Sequence, residues 1–254
     1  MIVREYSDRF VFIEQDIHAH LSGDIMKNWR DDLFKGEKWR NSVHYAIRQH
    51  DLGWKPFDHE PFWNDQMKRP YSFVDFPLPP KAVLYTSGID AVEKEDAYAG
   101  LLCSSHYERF MARENQIEAK RFVQDEKIRQ QRIIQSLPDF NETLYQFHFA
   151  MLRFGDDISL YLCLNEPGTP EDSIHPFFKK GLNVSALYGF NKEHISLHYR
   201  DKETLVIEDF PFDHPFTVTV TQKSISKETI AAHGLRPSFK NTREEKVCIS
   251  LTER

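Results

Sequence analysis

His50 and Asp51 are the residues best placed to do chemistry. They are adjacent, at the end of a segment in which Val43, Ala46, Ile47 and His50 recur on one helical face, so the imidazole turns toward a core. Neutral imidazole and carboxylate are natural ligands for a divalent first-row metal, and three or four of them from separate helices can surround one ion. A His-Asp pair alone is a weak signal, so partners decide the matter. His18 and His20 lie upstream on another helical segment. Residues two apart do not share a helix face, so one of them at most can serve the same site. His20 lies beside Ile17 and Leu21 at the edge of the apolar stripe, and His18 is its rival. Downstream, Asp156 and Asp157 interrupt an apolar run from Phe154 to Leu160. Asp156 shares a row with Leu152 and Leu160, where an ionised carboxylate is costly without a cation, whereas Asp157 shares its row with Arg153 and Tyr161. His106, one turn after Leu102, can point inward, either as a hydrogen-bonded core histidine or as a ligand. Arg109 follows it and can grip a phosphate or carboxylate through two parallel hydrogen bonds, or end in a surface ion pair.

The elements that must carry these residues read as follows. Ile2-Val3 and Phe10 to Ile13 suit a short hairpin. A helix runs from Asp16, its cap, to about Asp32, and a second from Asn41 or Ser42 to His50, stopped by Gly53. Residues 55 to 81 hold Pro56, Pro61, Pro70, Pro77, Pro79 and Pro80 and read as a long loop. Interleaved Phe57, Phe62, Trp63, Tyr71, Phe73 and Phe76 make that loop a candidate pocket wall or lid. Asp90 with Glu93 resembles a capping pair before a helix through Phe110. A polar helix covers about 112 to 136, and after Pro138 another runs from Phe140 to about Leu164. Beyond Pro167 the segments Ile195 to Tyr199, Thr204 to Ile207, Phe216 to Thr221 and Lys246 to Leu251 alternate as strands do. The expected architecture is mostly α, a helical metal-binding domain over 1–170 with a smaller β-rich C-terminal part over 171–254.

The composition narrows the function. With 40% hydrophobic residues, 28% charged and 20 Phe, the chain has ample material for a buried core. A net charge of -6 gives no general attraction to nucleic acid or to an anionic membrane, so neither is an expected partner. Cys103, Cys163 and Cys248 form no CxxC pair, which fits a reducing compartment. The first ten residues are too charged for a signal peptide, and no run approaches the length of a membrane span, so the expected location is the cytoplasm.

Taken together, a His on one helix, a His-Asp pair on the next and a late Asp resemble the HD superfamily of metal-dependent phosphohydrolases. His20-Leu21-Ser22-Gly23, His50-Asp51-Leu52-Gly53-Trp54, Ser87-Gly88-Ile89-Asp90 and Tyr98-Ala99-Gly100-Leu101-Leu102 with His106 look like an uncharacterised bacterial branch of it. The resemblance covers roughly residues 1 to 165. It implies an HD-type helical bundle holding one or two divalent ions (Mn, Fe, Mg, Co, Ni or Zn). His20, His50, Asp51, His106 and Asp156 would be ligands, Asp156 being preferred over Asp157 because Asp156-Asp157-Ile158-Ser159 matches the family's Asp-x-x-Ser context. Asp51 and His106 would be catalytic, and Trp54 and Arg109 would contact a small phosphate-containing metabolite or nucleotide. Where many HD enzymes continue His-Asp-x-Gly with Lys, Trp54 stands here, with Lys55 after it. Two alternatives belong to other classes: an HD-type di-iron oxygenase drawing on His44, His59, His106 and His148, and a metal- or ligand-binding protein without turnover.

Overall fold

The computed structural model describes residues 1–254. A hairpin, β1 (Ile2–Glu5) and β2 (Arg9–Ile13), leads into α1 (Gln15–Met26) and α2 (Arg40–Gln49). Residues 55–77 hold a one-turn helix α3 (Lys55–Asp58) and a minimal pair, β3 (Trp63–Asn64) with β4 (Arg69–Pro70). Four longer helices follow: α4 (Leu78–Glu95), α5 (Ala97–Met111), α6 (Ile117–Ser136) and α7 (Glu142–Leu164). The remaining elements are β5 (Leu182–Asn183), β6 (His194–Ile195), β7 (Leu197–Tyr199), β8 (Thr204–Ile207), β9 (Phe216–Ser226), α8 (Lys227–His233), α9 (Leu235–Asn241) and β10 (Glu245–Thr252).

Local chemistry explains the boundaries, including two that differ from expectation. Helix α4 starts inside the proline-rich stretch because Pro79 and Pro80 fall in its first turn, where a missing N–H removes no intrahelical bond. Asp90 is therefore not a cap. It lies within α4 and pairs with Arg129 of α6, while the cap of the next helix is Asp96, whose carboxylate accepts from the Ala99 N–H at 2.9 Å. Asn141 caps α7 in the same way through the Leu144 N–H.

The expectation of a helical bundle with a small C-terminal β appendage is overturned by the sheet. Six strands join in the order β1-β2-β9-β10-β8-β7, so the N-terminal hairpin supplies one edge of the sheet that the C-terminal residues complete. The long strand β9 makes the join, pairing Phe216 to Gln222 with β10 and Lys223 to Ser226 with β2. All pairs are antiparallel except β10 with β8. One continuous apolar core of 50 buried residues runs from Ile2 through Ile47, Leu102 and Phe154 to Leu205 and Ile249, so helices and strands share it across position 170. The bundle is thus one layer of a helix-on-sheet body. The cause lies in sequence distance: pairing Arg9 with Ser226 leaves no mark on local periodicity.

The consequence for the site concerns α1. This helix packs against α2 and α7 on one side and against β9 on another, so it is buried on two faces. No helix is long and apolar enough to cross a membrane.

Candidate metal centre

Four helical segments bring three imidazoles and two carboxylates to one buried point: His18 from α1, His50 and Asp51 from the end of α2, His106 from α5 and Asp156 from α7. All are between 1% and 4% exposed. The Asp156 Oδ1 lies 3.0 Å from His18 Nε2 and 3.5 Å from His50 Nε2. The Asp51 Oδ2 lies 3.8 Å from the same two nitrogens. His106 Nε2 and the Arg109 guanidinium approach the other Asp156 oxygen at 3.9 and 3.6 Å.

Neighbouring groups fix which atoms face inward. The His50 Nδ1–H donates to the Ile47 carbonyl at 2.8 Å, so Nε2 points at the carboxylates and offers its lone pair once its proton is displaced. Tyr107 donates to Asp51 Oδ1 at 2.8 Å, leaving Oδ2 for the centre. Ser159, 2.7 Å from His18 Nδ1 and also bonded to the Asp156 carbonyl, orients His18 from behind. These are the outer partners that set ligand orientation in metal sites. Three buried atoms in the cluster, His50 Nε2, His106 Nδ1 and Asp156 Oδ2, have no hydrogen-bond partner. Buried polar atoms are rarely left so, and orphan lone pairs among imidazoles and carboxylates fit a divalent cation.

The charges agree with that fit. Burial works against a charged His50, but Asp51 and Asp156 outweigh it and raise the imidazole to about 9. Burial raises the Asp51 carboxyl and drives His106 well below the ordinary histidine value. Burial works against a charged Asp156, but the hydrogen bond with His18 and the neighbouring His50 and His106 imidazoles hold it well below the carboxylate range. Half-buried Asp157 is pushed up to about 7 by burial and by Asp156, an effect opposed by Arg109 and Arg153. A divalent ion must therefore displace the His50 proton. Metal binding at pH 7 should release a proton, and affinity should rise as pH rises toward 9, by about tenfold per unit for each proton displaced. Calorimetry in two buffers of different ionisation enthalpy checks this; identical heats would contradict it.

Of the expected residues, His50, Asp51, His106, Asp156 and Arg109 converge. His20 does not: it is about one-third exposed, with Nε2 3.9 Å from Asp16 on the outward row of α1, and His18 takes the place expected of it. Trp54, expected at a substrate, is 2% exposed and packs edge-on against Phe76 and Tyr85. Through Tyr85, stacked on Tyr107 at 3.8 Å, it braces the group that holds Asp51. The aromatic loop thus supports the centre from behind and lines cavities that contain none of its donors, with Trp63 turned away against Phe10. His59 is exposed, and His148 is occupied by the Tyr98 hydroxyl and the Lys35 carbonyl at 2.7 and 2.8 Å. His44 belongs to neither group of converging donors. Sequence reasoning preferred His20 to His18, noted Ser159 only within the Asp-x-x-Ser match, and missed Tyr107. For His18 a signal existed, since Ser22 and Ile25 share its row while His20 shares one with Asp16 and Asp24.

No curated protein and no solved structure matches the chain. A family model described as a protein of unknown function, DUF3891, matches residues 1–227. That span holds every converging donor together with the hairpin and most of the strands it joins, and the chain therefore belongs to the DUF3891 family.

Proposed function

We propose that the chain is a metal-dependent hydrolase of a small phosphate-containing metabolite or nucleotide, working in the cytoplasm on a free substrate and not on nucleic acid. The observation that carries this reading is the convergence of His18, His50, Asp51 and Asp156, with His106 beside them, on a point where buried lone pairs lack partners. The His, His-Asp and Asp order that resembles the HD phosphohydrolases is kept, with His18 in place of His20. A divalent ion held here would acidify a water molecule and neutralise charge on a phosphoryl oxygen.

The chain's own groups divide the remaining work. Asp51, anchored by Tyr107, keeps one oxygen free to orient the attacking water. His106, neutral because burial depresses it, turns Nε2 toward the cluster, 3.9 Å from Asp156, and can take up or return a proton at the reacting group. Arg109 presents its guanidinium at the edge of the cluster, where a phosphate would arrive.

One ion is favoured over two. The two donor triads, His18-His50-Asp51 and His50-His106-Asp156, share His50, whose Nδ1 is committed to Ile47 and which has one nitrogen to offer. The di-iron oxygenase reading loses support accordingly, as His44, His59 and His148 lie outside the cluster. The test is phosphate release from phosphomonoesters by protein loaded in turn with Mn, Fe, Mg, Co, Ni and Zn. Release that is sensitive to chelator and lost in Asp51→Asn is expected. Full metal occupancy without any turnover would favour a binding protein instead.

A further inference from the structure

The donors of the centre are almost fully enclosed, whereas Arg109 beside Asp156 keeps 20% of its side chain exposed. Arg109 lies over the Phe110 ring at 4.4 Å, with its nearest nitrogen 3.6 Å from Asp156 Oδ2, too far for a hydrogen bond. Its Nε is buried and without a partner. Arg153, three residues before Asp156 on α7, is half-buried and makes no ion pair or side-chain hydrogen bond, and its Nε is likewise shielded and unpartnered. Arg153 lies one helical turn before Asp156 and Asp157 on α7, and Arg109 approaches the same turn from α5, 3.6 Å from Asp156 Oδ2. Two such groups with donors unemployed in a shielded place are unusual, because a buried charge without a partner is costly.

We propose that Arg109 and Arg153 form a clamp for the terminal phosphate of a monoester, and that Arg109 moves from Asp156 onto that phosphate when it binds. The proposal rests on the hydrolase reading above and narrows its substrate class. A monoester phosphate carries two negative charges and three free oxygens, enough to occupy both guanidiniums and still turn an oxygen toward His106 and Asp156. A diester carries a single charge, which does not balance two guanidiniums.

The experiment uses full-length protein and two probes, inorganic phosphate and dimethyl phosphate, with binding followed by calorimetry and metal content measured alongside. The wild type should bind phosphate and not dimethyl phosphate at the same concentrations. Arg153→Gln, which keeps most of the side-chain stem, and Arg109→Lys, which keeps the charge but not the planar fork, should each weaken phosphate binding by roughly tenfold or more. Metal content and melting temperature should stay at wild-type values in Arg153→Gln. Unchanged phosphate affinity in Arg153→Gln, or equal binding of the two probes, would overturn the clamp while leaving the metal centre standing. The converse result, a protein that holds no metal yet binds phosphate through Arg153, would overturn the hydrolase reading and keep the clamp.

Discussion

His50→Ala should leave the purified protein without its divalent ion, and so should His18→Ala, whereas His20→Ala should retain full occupancy. His18 and His50 each place a nitrogen within 3.5 Å of Asp156 Oδ1, while His20 faces Asp16 and solvent. Losing an outer partner of a metal ligand costs roughly 10- to 100-fold in affinity, and loss of a ligand itself should exceed that. The two aspartates make the same contrast within one dipeptide. Asp156→Asn removes the negative charge of the carboxylate toward which both histidines point and should abolish binding, and Asp157→Asn should spare it. Elemental analysis of the five proteins beside the wild type decides the matter. Retention of metal by His18→Ala together with its loss in His20→Ala would mean that α1 is turned differently from the structure described. Because the ion binds the folded state, chelation should also lower the melting temperature; a ligand at a thousandfold excess over its dissociation constant contributes about 4 kcal/mol.

Why His18 was misread follows from the sheet. The sequence shows Ile17, Leu21 and Ile25 as an apolar row, and a helix with one buried face would be centred there, with His20 at its margin. In the structure Ile17 lines a crevice with Phe12, Lys223 and Phe239 on the sheet side, while His18 and Ser22 face α7. A helix buried on two faces has no single stripe, and the second face exists because β9 returns to the N-terminal hairpin over 200 residues later. The error in the site and the error in the architecture therefore have one cause. Asp156 was legible because α7 buries nearly its whole length, so a carboxylate aligned with Leu152 and Leu160 had no route to solvent. His50 and Asp51 were legible for a related reason, as the buried row Val43, Ala46 and Ile47 fixes the face of a short amphipathic helix. Tyr107 left no comparable trace, and Ser159 showed only as part of the Asp-x-x-Ser match, because a hydroxyl on a buried helix face does not reveal which ligand it orients.

The largest loss of stability is expected from the smallest substitution, Gly53→Ala. Gly53 follows the ligand pair in the tight turn Leu52–Trp54, which lies directly on α4. A methyl group on Gly53 would overlap the Leu84 carbonyl oxygen, and one on Gly88 would come within 2.7 Å of the Gly53 nitrogen. In both cases the obstacle is backbone, which cannot rotate aside as a side chain can. Gly53 has no unusual backbone angle, so alanine there would ordinarily be tolerated or mildly stabilising through the unfolded chain. The close approach reverses that sign. Overpacking a core by one methyl costs about 1–3 kcal/mol even where side chains can adjust, and here the turn must lift from α4, carrying His50 and Asp51 with it. Gly53→Ala and Gly88→Ala should each lower the urea midpoint by at least that equivalent and weaken metal binding, although neither residue touches the ion. The mechanism predicts one further asymmetry: Gly100→Ala, whose methyl would crowd the Glu93 side chain and backbone on the far part of α4, should destabilise the fold while leaving the metal affinity of the folded fraction intact. Equal loss of metal affinity in all three variants would show that His50 and Asp51 are not positioned by the Gly53–Gly88 contact.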